Sequence, residues 1–231
     1  MKLKSFGCSF IWGSELPDLS KSTDSLIKGN MYSELTWPAR LSRALNIGYG
    51  CYARPGCGNF FIANQCLDQL ALNEPALYVI NWTWIDRFDY INQDNSSKRW
   101  KTLRPNTSCD GQEQLADYYY RNFHSQYRDK LATLMHIKLC IDSLQQAGHE
   151  FIMTYVDDLM LETKWHTSPA VSTLQEYIRP HLRQFNGLNM LEYSREHGHA
   201  FGPQAHPLES AHEDLFQYAL ANFAVDKIKT P

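Results

Sequence analysis

Lys2-Leu3-Lys4-Ser5-Phe6-Gly7-Cys8-Ser9-Phe10-Ile11-Trp12-Gly13 is the stretch around which the other segments of this 231-residue chain arrange themselves. Leu3 to Phe6 reads as a short strand. Gly7 breaks it, and a thiol and a hydroxyl follow at once. A strand that ends in Gly and hands straight to Ser presents that hydroxyl at the carboxyl edge of a sheet, where open α/β sheets bind their ligands. Ser9 is thereby a candidate nucleophile. The competing reading is a Gly-Ser turn that leads into a core aromatic cluster.

Outward from this stretch, the chain alternates strands and helices. Residues 14–30 are polar and carry Pro17 and Gly29, as a surface loop does. Ser33 to Leu45 reads as a helix with Trp37-Pro38 near its start, and Gly48 to Ala53 as a second strand. Arg54-Pro55-Gly56-Cys57-Gly58-Asn59 is a tight loop before a helix striped with Phe60, Phe61, Ala63, Cys66, Leu67 and Leu70. Two glycines ahead of a helix start let backbone N–H groups approach a ligand; they also serve in plain turns. Ala76-Leu77-Tyr78-Val79-Ile80-Asn81-Trp82 is an almost unbroken apolar run, as a strand buried on both faces requires.

Residues 92–114 are polar and turn-rich and read as an inserted loop or lid. Leu115 to Ala147 has apolar residues at three- and four-residue spacing, which fits one long helix or a broken pair, closed by Gly148. Phe151 to Val156 is a further buried strand that runs into Asp157-Asp158. A helix over about Ala170 to Phe185 follows, then a short strand at Met190 to Tyr193, a His/Gly loop, and a last helix opened by His206-Pro207. This order predicts one three-layer αβα domain over residues 1–231, doubly wound and flavodoxin-like, on a parallel sheet of about five strands.

Composition narrows the function classes. With 43% hydrophobic and 20% charged residues the chain is ordinary for a globular protein. A net charge of -3 without a basic block gives a nucleic-acid partner no electrostatic support. No apolar run approaches the roughly 20 residues that span a bilayer, so no membrane partner is expected. Met1-Lys2-Leu3-Lys4 lacks the apolar core of a signal peptide. The expected location is cytoplasmic, and the six cysteines are expected as reduced thiols. Oligomeric state is not legible.

Acyl transfer needs a nucleophile, a base and donors aimed at the developing oxyanion. His206 is the best base, because Pro207 fixes the backbone where the last helix begins. Donors are expected from the N–H groups of Ser9 and Gly58, with a side chain after the Ala76–Trp82 strand. Cys8 as nucleophile is the weaker choice, since successive side chains point apart and a small buried thiol is ordinary filler. His197, His199, His206 and His212 lie in one region, but no carboxylate or cysteine completes a recognised metal spacing. No metal or cofactor is expected.

The order of these parts resembles the SGNH, or GDSL-like, hydrolases. Gly7-Cys8-Ser9 matches the family's Gly-Asp-Ser apart from Cys8, Gly58-Asn59 matches its second block, and His206-Pro207 with His212 resembles the last. The opening is also similar to phage and uncharacterised bacterial members that begin Gly-Cys-Ser-Phe. A phage origin would place the chain in the host-cell cytoplasm or the virion. The resemblance implies an esterase or deacylase that acts on an acylated carbohydrate or small ester. The alternative is a catalytically weak or inactive member that keeps the fold as a binding or structural protein. Two blocks depart from the pattern. Asn81-Trp82-Thr83-Trp84 replaces Gly-x-Asn-Asp, which leaves Thr83 or Asn81 as the side-chain oxyanion donor. Pro203-Gln204-Ala205 stands where the family has its acid, so His206 works as a dyad or draws on Asp157, Asp158 or Glu209. Arg87 and Asn59 are candidate substrate contacts, and Trp84 and Trp100 a candidate stacking wall.

Overall fold

The computed structural model describes residues 1–19, 32–91, 100–105 and 112–223. Strands β1 (Lys2–Phe6), β2 (Gly48–Cys51), β3 (Ala76–Trp82) and β6 (Phe151–Tyr155) form a parallel sheet in the order β2-β1-β3-β6. β3 is buried at every residue because both of its faces are covered. The sheet has four strands where about five are expected. A single parallel bridge between Met153 and Leu182 occupies the fifth position.

Helices flank the sheet. α2 (Trp37–Ala44) packs on α8 (Glu209–Asn222), while α3 (Asn59–Leu70) packs on α5 (Gln126–Gln146), which in turn meets α6 (Pro169–Ile178). α5 buries Leu134, Ile137, Ile141 and Leu144 at helical spacing. Its amino end is set by Ser125, whose hydroxyl accepts from the Arg128 N–H; that cap separates it from α4 (Glu113–Asn122), so the long periodic segment is a broken pair. Pro180 marks the change from α6 to a single 3-10 turn at Arg179–His181, so this helix stops well short of Phe185. Met190 to Tyr193 is a helix and not a strand. The Asn189 side chain accepts from the N–H groups of Leu191 and Glu192 and starts α7 (Met190–Glu196).

The expected insertion at 92–114 is only partly irregular. β4 (Phe88–Ile91) and β5 (Trp100–Leu103) form an antiparallel hairpin whose Phe88 and Leu103 pack with Tyr119 of α4. Residues 92–99 and 106–111 lie outside the described residues, as do 20–31 of the early loop.

Asp89 ties this hairpin to the sheet. Its carboxylate, fully buried, accepts from the N–H groups of Gly58 (2.9 Å) and Phe61 (2.8 Å) at the start of α3, and from the Thr102 hydroxyl (2.5 Å). Burial raises its pKa, and these hydrogen bonds oppose the rise. Asp89→Ala would strand the donors at the α3 terminus, so it should cost about 2–4 kcal/mol in urea unfolding. A loss below about 0.5 kcal/mol would show the contact to be dispensable. Among the described residues no helix is long and apolar enough to cross a membrane.

Candidate active site

In a parallel sheet all carboxyl ends lie on one edge. The segments that leave β1, β2 and β3 converge there with α7 and the loop before α8. They enclose a cleft of about 750 Å³ lined by Ser9, Gly56, Trp84, Arg87, Arg195 and His206 among others. Ser9 and His206, from opposite ends of the chain, therefore share one cavity.

Local structure explains how Ser9 reaches it. β1 ends at Phe6, Cys8 caps in an extended conformation, and α1 (Ser9–Trp12) begins on Ser9 itself. As the first helical residue, Ser9 has an N–H with no intrahelical acceptor. A Cβ on Gly7 would sit 2.6 Å from Ile11 Cγ1, so the glycine is what lets β1 turn this closely into α1. Cys8 is fully buried and does not line the cleft, while Ser9 does. Gly13 then stops α1 in the left-handed region (φ 82), and its N–H and that of Ser14 both return to the Ser9 carbonyl. This reversal carries Glu15 back toward the cleft.

Glu15 is the acid that the sequence reading missed. Its Oε2 lies 2.6 Å from His206 Nδ1, and both carboxylate oxygens accept from the Gln204 N–H at 3.2 Å. A Cβ on Gly202 would come within 2.6 Å of the carboxylate, so a side chain there would displace Glu15 from this position. Glu15 (φ 69) and Ala205 (φ 59) both hold left-handed backbone that non-glycine residues adopt at a cost. Burial pushes Glu15 up, but the bonds from His206 and Gln204 outweigh it and leave the carboxyl below its ordinary value. An ionised carboxylate only accepts, so the Nδ1–H tautomer is fixed and Nε2 is left for the cleft. Phe10, next to Ser9, meets the His206 ring edge-on at 5.6 Å between centroids.

Most of the other predicted residues lie elsewhere. Asp157 accepts from the N–H groups of Ile85 (2.9 Å) and Leu159 (3.1 Å), Asp158 from the Asn189 side chain, and Glu209 pairs with Arg40. None of these acids contacts His206. Gly58 is displaced as an oxyanion donor because its N–H is spent on Asp89. Thr83 gives its N–H to Asn59 Oδ1, and Asn81 accepts from Thr154; both side chains are fully buried away from the cleft. Asn59 is buried too and donates to the Thr83 carbonyl and Thr133, so it is no substrate contact. Gly56, two residues before Gly58, lines the cleft with positive φ (74). Arg87 does line it. Its Nη1 donates to the Cys57 carbonyl (2.9 Å), and its guanidinium lies 4.5 Å from the centre of the Trp84 ring. Trp100 packs edge-on against Phe60 and Phe61 and takes no part in the cleft wall with Trp84.

The four histidines separate into four settings. His197 bonds to the Tyr193 carbonyl, His199 to Asp214, His206 to Glu15, and buried His212 accepts from the Trp37 N–H. Among the described residues no group of three or more His, Cys, Asp or Glu is placed to hold a metal. Burial, with the charges of Arg40 and His206, pushes His212 down to about 3. The unfolded chain would bind a proton near 6.5, so stability is full above that value and falls as pH drops toward the folded value. The slope contributed is up to about 1.4 kcal/mol per pH unit. His212→Gln should flatten the pH dependence of the unfolding free energy in this window; parallel curves for the two proteins would contradict the assignment.

No protein-family model matches the chain, and no curated protein matches it in sequence. Solved structures do share its fold. A member of the lipolytic protein G-D-S-L family from Veillonella parvula aligns over 96% of this chain and 98% of its own at 13% identity, with TM-score 0.52. Psychrotrophic esterase EstA from Pseudoalteromonas sp. aligns over 99% of both chains at 10% identity, TM-score 0.55. An acetyl xylan esterase from the rumen bacterium Butyrivibrio proteoclasticus aligns over 98% of this chain at 16% identity, TM-score 0.54; this chain spans 64% of it. The architecture is thus the mixed α/β fold of GDSL-type hydrolases, a parallel sheet flanked by helices.

Proposed function

We propose that this chain is a serine ester hydrolase in which Ser9 is the nucleophile, His206 the general base and Glu15 the acid that orients it. The observation that carries the reading is the 2.6 Å contact of His206 Nδ1 with Glu15, made on the wall of the cleft that Ser9 also lines. Ser9 Oγ attacks the ester carbonyl carbon while His206 Nε2 takes its proton. The carbonyl electron pair moves onto oxygen, where the N–H groups of Ser9 and Gly56 can donate. Collapse breaks the bond to the alcohol, which leaves with the proton from His206. Water then attacks the acyl-serine by the same route, releasing the acid and restoring Ser9.

An acylated carbohydrate or other small ester is the substrate class. Trp84 offers an aromatic face in the cleft, and the similarly folded acetyl xylan esterase acts on a polysaccharide. Hydrolysis of 4-nitrophenyl acetate by the wild type, absent in Ser9→Ala, is the test. The withdrawal of Asn81 and Thr83 from the cleft favours a second reading, a binding protein on the same fold. That reading predicts no Ser9-dependent turnover.

A further inference from the structure

Among the described residues, the charged side chains that line the cleft are Arg87, Arg104 and Arg195, and no carboxylate lines it. Glu15 is committed to His206 and Gln204. The chain as a whole carries a net charge of -3, so the cationic wall is not a general excess of base. Like charges facing one cavity draw anions to it, and low-dielectric walls strengthen the effect.

Arg87 is held from two sides. The Cys57 carbonyl fixes one nitrogen and the Trp84 ring one face, so its planar fork meets a ligand with little further ordering. Arg104 lies against Gly56, where an added Cβ would be 3.1 Å from its Nη1. Arg195 stands exposed in the last turn of α7, three residues after Glu192 on the same helix. A guanidinium fork matches a carboxylate with two parallel hydrogen bonds.

We propose that the cleft takes a carboxylate-bearing ester, with the carboxylate held by Arg87 and Arg195 while the ester carbonyl reaches Ser9. The proposal rests on the hydrolase reading and narrows its substrate. Two probe pairs separate a carboxylate on the acyl side from one on the alcohol side. The first is mono-4-nitrophenyl succinate against 4-nitrophenyl butyrate, and the second is 4-acetoxybenzoate against its methyl ester.

The expected result is a kcat/KM ratio, anionic over neutral, of about tenfold or more in at least one pair. It should shrink with added salt and fall at least about fivefold in Arg87→Gln or in Arg195→Gln, the latter an exposed substitution that spares the fold. Ser9-dependent turnover with ratios near one in both pairs would overturn the proposal and leave the hydrolase intact. A ratio unchanged in both variants would overturn it as well. If no ester is turned over, the hydrolase reading fails, and calorimetric titration with succinate decides the anion site alone. Binding weakened about tenfold in Arg87→Gln supports the site, and no binding to the wild type overturns it.

Discussion

Ser9→Ala is expected to reduce kcat/KM on 4-nitrophenyl acetate by at least about 10⁴-fold, some 5.5 kcal/mol of transition-state stabilisation, with the fold unchanged. Only the hydroxyl is lost, and a methyl group stands in its place at the first position of α1. The neighbouring thiol offers no rescue, because Cys8 is fully buried beneath the cleft-facing serine. Cys8→Ala should therefore retain activity. Equal rates in wild type and Ser9→Ala would remove Ser9 from the chemistry, and with it the role given to His206.

The second large effect is expected at a residue 191 positions from its partner. Glu15→Gln keeps the shape of the side chain but removes the charge and leaves an amide that can present N–H to His206 Nδ1. The ring can then reverse its tautomer, and Nε2 can no longer take the Ser9 proton. A loss of about 10²–10⁴-fold in kcat with little change in KM is expected. Unfolding followed across pH gives a second readout. The hydrogen bonds to Glu15 hold its carboxyl below the ordinary range, so its ionised form, and the stability that form confers, persists through mild acid and is lost only as pH falls through the lowered value. The share of wild-type stability that depends on ionised Glu15, absent in Glu15→Gln, should accordingly survive to pH values where an ordinary glutamate is half protonated. A Glu15→Gln variant with near wild-type kcat would mean that the contact is structural.

The sheet could be read from the sequence because buried parallel strands spell themselves locally. Ala76 to Trp82 is apolar on both faces, and Leu3 to Phe6 stops at a glycine that the tight turn into α1 demands. The same logic placed Ser9 and His206 at the ligand edge. Met190 to Tyr193 reads as a strand yet folds as a helix, because four residues do not separate a strand from a helix turn. Asn189 before it, a strong N-cap residue, was the available signal.

Glu15 escaped for a different reason. The family resemblance puts the acid next to the histidine, yet the geometry is met by the first acidic residue after Ser9, returned by the Gly13 reversal. Likewise, two glycines flank Cys57, and which N–H faces the cleft depends on Asp89, a side chain from the hairpin 31 residues after Gly58. Such tertiary contacts leave no local pattern. They decide which acid meets His206 and which glycine N–H is bound to Asp89, and strand order alone could not.

Covalent mapping tests the central arrangement most directly. Treated with a fluorophosphonate and digested, the wild type should yield a single modified peptide with the adduct on Ser9. Labelling should be absent in Ser9→Ala and slowed at least about 100-fold in Glu15→Gln and His206→Ala. An unlabelled Ser9, or one labelled at the same rate in all of these histidine and glutamate variants, would contradict the triad.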